Sequence, residues 1–293
     1  NGGGPVLAVV PAVRHTRRDA KRKLIAGHSS GSRAAEAYED LRTLLLLRMT
    51  ARRGAKSLLV TSPTGDTHTA VSANVAVALA RAGRQVILVL GDLRHPYGHE
   101  LFGIEGEAGL ADVLEGRGTL TEMIQQTDTR GLQILTAGTL TGDVATAFHT
   151  PLMHQVFRRL RMSADIVIID APAILAGADI ATMVELADMI LTVGDARRTT
   201  RAEVCAAAGQ LRHVRSKVIG CVLDNGRRHT RVVTPPLSFV TGHDDHAESR
   251  STGEDSDEPS WLRGSAGGPA GPAPGGPKHA NGWDGAVATG KRR

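Results

Sequence analysis

A parallel β-sheet with helices on both faces is the fold class this sequence predicts, and three observations lead to it. Six apolar runs of strand length recur along the chain: "SLLVTS", "QVILVL", "LQILTA", "DIVIID", "MILTVG" and "KVIGCVL". They are apolar throughout rather than alternating, the mark of strands buried on both faces. Between them lie segments of helical periodicity, notably 69–82, 143–162 and 198–214. Right-handed crossovers then bring every strand C-terminus to one edge of the sheet, the edge where such folds bind ligands.

The elements follow in order. Residues 1–32 are rich in Gly, Ser, Arg and Lys around one apolar piece, "VLAVVPAV", and are expected to be a basic linker. Its run "RHTRRDAKRK", covering 14–23, suits an anionic membrane surface, while the absence of interleaved aromatics argues against nucleic acid. Residues 33–233 are expected to form the domain. It opens with the helical stretch "SRAAEAYEDLRTLLLLRM", with Ser32 as N-cap and, because Ala35 stands at the third position, no capping box. Residues 234–293 are first acidic and then Gly/Pro-rich, a composition expected to stay disordered because it buries too little apolar surface to offset chain entropy.

Composition narrows the classes. Hydrophobic residues make up 41% of the 293 but aromatics only 3%, so the core must be built from Val, Leu, Ile and Ala. Two cysteines, Cys205 and Cys221, lack CxxC spacing and point to neither a disulfide framework nor a metal site. The net charge of +5 is modest and unevenly placed. No apolar run reaches 18 residues and no signal peptide is evident, so no membrane span is expected within this sequence. It begins with Asn, which suits a fragment or a processed product.

Three strand ends carry candidate chemistry. "SLLVTSPTGDTHTA" runs from a strand through a Gly/Asp/Thr loop into a helix. A working phosphate loop, GxxxxGK[ST], uses glycines to curl N–H groups around phosphates, a lysine on the β and γ oxygens and a hydroxyl on Mg²⁺. Counting back from the helix, Thr69 takes the hydroxyl position, His68 the lysine position and Thr67 the second glycine position, with Gly65 and Asp66 before them. Thr67 is then expected to be strained, since a β-branched residue resists positive φ. The bland alternative is an ordinary turn. The second strand end delivers Asp92 and the third, "ADIVIIDAPA", delivers Asp170; a carboxylate there commonly holds Mg²⁺ through water. Each match alone is weak, and three on adjacent strands of one sheet are much stronger.

With these residues in hand, the chain resembles the cytoplasmic domain of bacterial tyrosine kinases of the polysaccharide co-polymerase system, deviant Walker-A ATPases allied to the MinD and ParA class. The resemblance covers roughly Val6–Arg228 and is most specific in "AEAYEDLRTLL", "KSLLVTSP", "ANVAVALARAGRQVILV", "DLRHPYGHELFG", "GLADVLEG" and "VIIDAP". It implies ATP and Mg²⁺ as cofactors, homo-oligomerisation, and a membrane-embedded co-polymerase segment or partner. It also implies a place at the cytoplasmic face of the membrane, as part of a longer anchored chain, in capsule, exopolysaccharide or lipopolysaccharide synthesis and chain-length control.

The departures shape the expected function. Where the family reads "GEGKST", this chain has "GDTHTA". The second acidic motif, usually Asp-x-Asp, is Leu90-Gly91-Asp92, and the third keeps Asp170 and Pro172 but has Ala173 for a second proline. The oligomer motif is reduced to Glu36, Glu39 and Arg42, with an acid at its middle arginine. Val-Leu-Asp ends the last strand where the family has Val-Leu-Asn near the adenine, and Asn225 follows one place later. The C-terminal tyrosine cluster is missing; Tyr38 and Tyr97 are the only tyrosines. Gly65, Asp66, Thr67, His68, Thr69 and Asn225 would be a remnant nucleotide site, and Asp92 and Asp170 remnant catalytic carboxylates, with Thr69 as Mg²⁺ ligands. The expectation is a degenerate, kinase-like scaffold or regulator with weak or no ATP turnover. The rivals are an active autokinase or ATPase with a non-standard loop, and a MinD/ParA-like partitioning ATPase.

Overall fold

The structure is a computed structural model and describes residues 4–12, 24, 32–52, 54–177, 179–212 and 217–226. The basic run 14–23 and the tail 234–293 lie outside the described residues.

Among the described residues, eight strands form one sheet: β1 (Val6–Pro11), β2 (Ser57–Thr61), β3 (Val86–Leu90), β4 (Ile124–Gln126), β5 (Leu132–Leu135), β6 (Ile166–Asp170), β7 (Met189–Asp195) and β8 (Lys217–Gly226). Their spatial order is β1-β8-β7-β2-β6-β3-β5-β4, parallel throughout except for β4, which runs antiparallel to β5. The helices are α1 (Arg33–Ala51), α2 (Thr67–Arg81), α3 (Leu110–Leu114), α4 (Leu120–Met123), α5 (Val144–Phe148), α6 (Pro151–Ser163), α7 (Asp179–Leu186) and α8 (Arg201–Leu211).

Period-two alternation divides the strands between two cores. Leu58, Val60, Leu88, Ile168 and Leu191 join α1 and α2 on one face. Leu59, Ile87, Val89, Val167, Ile169 and Ile190 meet Met153, Phe157 and Leu160 of α6 and Met183 of α7 on the other. Each fully buried Leu, Ile or Val side chain contributes about 1.5–3 kcal/mol, so the paucity of aromatics leaves no shortage of core.

All six expected strands form, and α1 begins as expected, with Ser32 Oγ accepting the Ala35 N–H at 3.1 Å. Two expectations are corrected. Residues 6–11 are not linker: β1 pairs in parallel with β8 and buries Leu7, Ala8 and Val10, so the domain starts well before residue 33. The helix expected over 143–162 is two helices, because Pro151 has no N–H to extend the turns before it and instead opens α6 at its first position. The sheet is parallel as expected; one further strand, the short and polar edge strand β4, runs antiparallel to β5 and leaves no apolar run in the sequence.

Candidate active-site cleft

Register places the chemistry. In the parallel pairing β2–β6, Val60 lies opposite Asp170; in β3–β6, Leu90 lies opposite Asp170. The loop after β2, Asp170 and the segment carrying Asp92 therefore sit side by side, as the sequence predicts. They are stitched together by the Gly91 N–H on the Asp170 carbonyl (2.8 Å) and the Ile174 N–H on the Ser62 carbonyl (2.8 Å).

The loop turns at Gly65, whose φ of 69° lies in the left-handed region that glycine occupies without strain. Thr67 is not among the described residues with positive φ; it is the first residue of α2. The expected strain at Thr67 is therefore absent, because the single tight turn falls two residues earlier. Asp66 stands at the N-cap of α2 without a side-chain cap bond. The first turn of a helix carries N–H groups with no intrahelical partner, an anion-attracting end. Thr64 Oγ1 donates to Glu203 Oε1 of α8 at 3.2 Å, bracing the loop from outside.

His68, at the lysine position, turns into the protein and is 1% exposed. Its Nδ1 is 2.8 Å from Ser62 Oγ, and Ser62 Oγ also donates to the Gly65 carbonyl at 2.8 Å. Ser62 has one proton, so when Gly65 receives it the imidazole Nδ1–H donates to Ser62. His68 Nε2 is then left without a hydrogen bond, 3.8 Å from Asp170 Oδ1.

Asp170 is 3% exposed. Ser72 Oγ is 2.5 Å from its Oδ1 and 2.8 Å from the His68 carbonyl. One hydroxyl proton cannot serve two acceptors. Both contacts are satisfied if Asp170 carries a proton and donates to Ser72, while Ser72 donates to the His68 carbonyl. Burial pushes the Asp170 carboxyl above its ordinary value, against the pull of His68, Ser72 and Thr69, which agrees with that arrangement. Asp92 is used locally: its Oδ1 accepts the N–H groups of Arg94 and His95, both at 3.0 Å.

Alongside this cluster, and joined to it through Thr69, lies a cleft of about 580 Å³. Gly65, Asp66, Thr67 and Thr69 line one part of it; Val10, Pro11, Asp195, Asp224 and Asn225 line another. Tyr97 also lines it, its hydroxyl 3.4 Å from both Thr69 Oγ1 and the Asp66 carbonyl, with its pKa pushed up to about 12 mainly by burial. Arg198 is the one guanidinium among the described lining residues.

Of the residues singled out from the sequence, Gly65, Asp66, Thr67, Thr69 and Asn225 line the cleft; His68, Asp92 and Asp170 do not. Glu36, Glu39 and Arg42 lie along α1, where Arg42 pairs with Glu39. Sequence reasoning missed Ser62 and Ser72, which bind the two buried groups, and Asp195, which ends β7. A hydroxyl in a helix or before a proline has no distinctive spacing, but the "TVGD" strand end was legible by the same rule that picked out Asp170.

The fit to a nucleotide is divided. The volume suits one, and the α2 end offers donors to a phosphate. The donor set for Mg²⁺ fits poorly as arranged: of the three expected ligands Thr69 alone is among the described residues lining the cleft, Asp170 is buried against Ser72, and Asp92 Oδ1 is taken by two backbone N–H groups.

No protein-family model matches the chain. The EpsB protein of Ralstonia solanacearum is 30% identical over 210 residues, which is 71% of this chain and 28% of EpsB. Tyrosine-protein kinase YwqD of Bacillus subtilis is 29% identical over 209 residues and is covered over 87% of its length. The kinase domain of the Escherichia coli tyrosine kinase Etk superposes with a TM-score of 0.70 at 26% identity, covering 77% of this chain and 92% of that domain. The chain belongs with the bacterial tyrosine-kinase domains. It spans less than a third of EpsB, and 30% of a Klebsiella pneumoniae relative that is 30% identical over 217 residues and is named from its cps region. MinD of Pyrococcus horikoshii, in complex with Mg-ADP, shares the fold at a TM-score of 0.51 and 24% identity. The MinD likeness extends to architecture, while the tyrosine-kinase likeness extends to sequence along most of the domain.

Proposed function

We propose that this bacterial tyrosine-kinase domain is a pseudokinase: a regulatory or scaffold module of polysaccharide synthesis that keeps a nucleotide cleft and has lost phosphoryl transfer. The observation that carries the reading is the inward-turned His68. Phosphoryl transfer depends almost wholly on positioning and charge neutralisation at the phosphates. Here the side chain at the position of the phosphate cation is buried with Ser62 and Asp170 instead of lining the cleft. Leu90 occupies the place of a further carboxylate and packs, 4% exposed, in the core.

The tyrosine-kinase kinship and the cps-region relative support a role beside a membrane-embedded polysaccharide co-polymerase, at the cytoplasmic face. In the resemblance from which Glu36, Glu39 and Arg42 were read, this helix mediates self-association; the Arg42–Glu39 pair within one helix gives that motif an internal partner instead. A test of the reading is incubation of the purified chain with Mg-ATP followed by phosphotyrosine detection. No label on Tyr38 or Tyr97 is expected; Tyr38 is buried, with its hydroxyl pushed far up by burial. Robust labelling of either would establish the active-autokinase reading instead.

A further inference from the structure

With His68 turned inward, the start of α2 offers a phosphate N–H groups but no side-chain cation. A cation lines the same cleft from another element: Arg198, in the turn between β7 and α8. β7 flanks β2 directly, with Thr192 opposite Thr61, so the two strands run one spacing apart, about 4.8 Å. The turn is firmly tied. The N–H groups of Arg198 and Thr199 both donate to the Asp195 carbonyl, at 3.1 and 2.9 Å, and the Asp195 N–H donates to Thr199 Oγ1 at 2.9 Å. Thr200 and Glu203 cap α8 reciprocally, and Glu203 Oε1 also accepts from Thr64 Oγ1, which braces the turn against the loop after β2. Asp195 lies opposite Asp224 in the β7–β8 pairing, and both its oxygens are engaged, Oδ2 by Asn225 Nδ2 at 3.1 Å and Oδ1 by the Arg197 N–H at 2.8 Å. The Arg198 side chain is exposed, with no hydrogen bond or ion pair among the described residues. A fixed backbone thus presents one unpaired guanidinium to the cleft.

We propose that Arg198 is the phosphate-binding cation of this cleft, holding the phosphates of a nucleoside polyphosphate against the start of α2 in place of the loop's missing lysine; the proposal rests on the reading of the cleft as a nucleotide site. A guanidinium presents a planar fork of N–H donors that matches two phosphate oxygens at once. It also stays charged where an imidazole is mostly neutral. Asp66, Asp195 and Asp224 line the same cleft and oppose an incoming anion, so among the described lining residues Arg198 is the side chain whose charge favours one. Because this cation comes from the β7–α8 turn and not from the loop, it neutralises phosphate charge without restoring the loop's own geometry. Phosphoryl transfer depends on that geometry as well as on charge. Arg198 therefore supports a cleft that holds a nucleotide and does not turn it over.

The test is calorimetric titration of ADP into the 293-residue chain and its Arg198→Ala variant in Mg²⁺-free buffer, with inorganic pyrophosphate as the competitor of ADP. Pyrophosphate should displace ADP from the wild type. Arg198→Ala should bind both roughly tenfold to a hundredfold more weakly, the loss of one charge-assisted contact. Arg198→Lys should recover part of that loss, since an ammonium keeps the charge and lacks the fork. The side chain is exposed and unpaired, so all three proteins should melt at the same temperature. Unchanged ADP affinity in Arg198→Ala overturns the proposal and leaves the cleft reading standing. So does a loss confined to ADP, which would put Arg198 on the sugar or base, and so does a pyrophosphate that fails to compete on the wild type. A wild type that does not bind ADP overturns the cleft reading and this proposal with it.

Discussion

Replacing Asp170 with Asn separates a buried, protonated carboxyl from a metal ligand. In the structure the carboxyl is enclosed by Ser72, His68 and Thr69, and burial holds its pKa above the ordinary carboxylate value. A carboxyl whose folded pKa is raised binds its proton more tightly in the folded state. Its favourable contribution is fully present below the unfolded value and is lost as pH rises through the folded one. The wild type should therefore lose stability relative to Asp170→Asn as pH climbs from the unfolded value, about 4, through the raised folded one. The Asn amide mimics the protonated acid by donating to Ser72 and never has to ionise. With the partners partly compensating, the avoided penalty is about 2 kcal/mol near neutral pH, in the range for a poorly satisfied buried polar group. For a fold of this size that is a rise of roughly 4–8 °C in Tm. Thermal denaturation of both proteins at several pH values measures it. If the wild type gains stability relative to Asp170→Asn as pH rises, or the difference does not change with pH, the folded pKa is not raised and the argument fails.

Three further predictions concern the loop, a close contact and the first strand. His68→Lys puts at the first turn of α2 a cation too costly to bury uncompensated; turned out to the cleft, its ammonium should raise inorganic pyrophosphate affinity by about tenfold, one charge-assisted contact. Adding Thr67→Gly should bring no further gain and lower stability by roughly 0.5–1 kcal/mol, because Thr67 is an ordinary helical position; isothermal titration and urea melts check both. Gly109→Ala would drive a Cβ into the Thr136 carbonyl oxygen, so it should destabilise by about 1–3 kcal/mol in a denaturant melt. Deleting residues 1–12 removes the buried side chains of Leu7 and Val10, about 1.5–3 kcal/mol each, and should lower Tm sharply, whereas deleting 234–293 should leave it within a few degrees.

The strands were legible because a strand buried on both faces writes an unbroken apolar run, and Asp170 was legible because such a run ended in an acid. β1 was read as linker although "VLAVVP" is itself such a run; the basic segment beside it suggested a tether, and only pairing with β8 reveals the strand. β4 carries Ile124 alone among two glutamines, too little pattern for any period to register. At the site, the sequence identified the position of His68 but not its direction. Whether an imidazole faces a phosphate or the core depends on partners distant in sequence, here Asp170, together with a loop turn that falls at Gly65 and not at residue 67. The pairing of Asp195 with Asp224 was equally invisible, since register between β7 and β8 is a property of the folded sheet.

The central claim is that the cleft survives without its metal chemistry, and the Mg²⁺ dependence of nucleotide affinity tests it most directly. Paired calorimetric titrations of ATP into the chain, with Mg²⁺ and with EDTA, should give weak binding of the same strength in both. A Mg²⁺-dependent increase to micromolar affinity would mean that Asp170 and Asp92 leave their present partners to hold the metal, and would contradict the account.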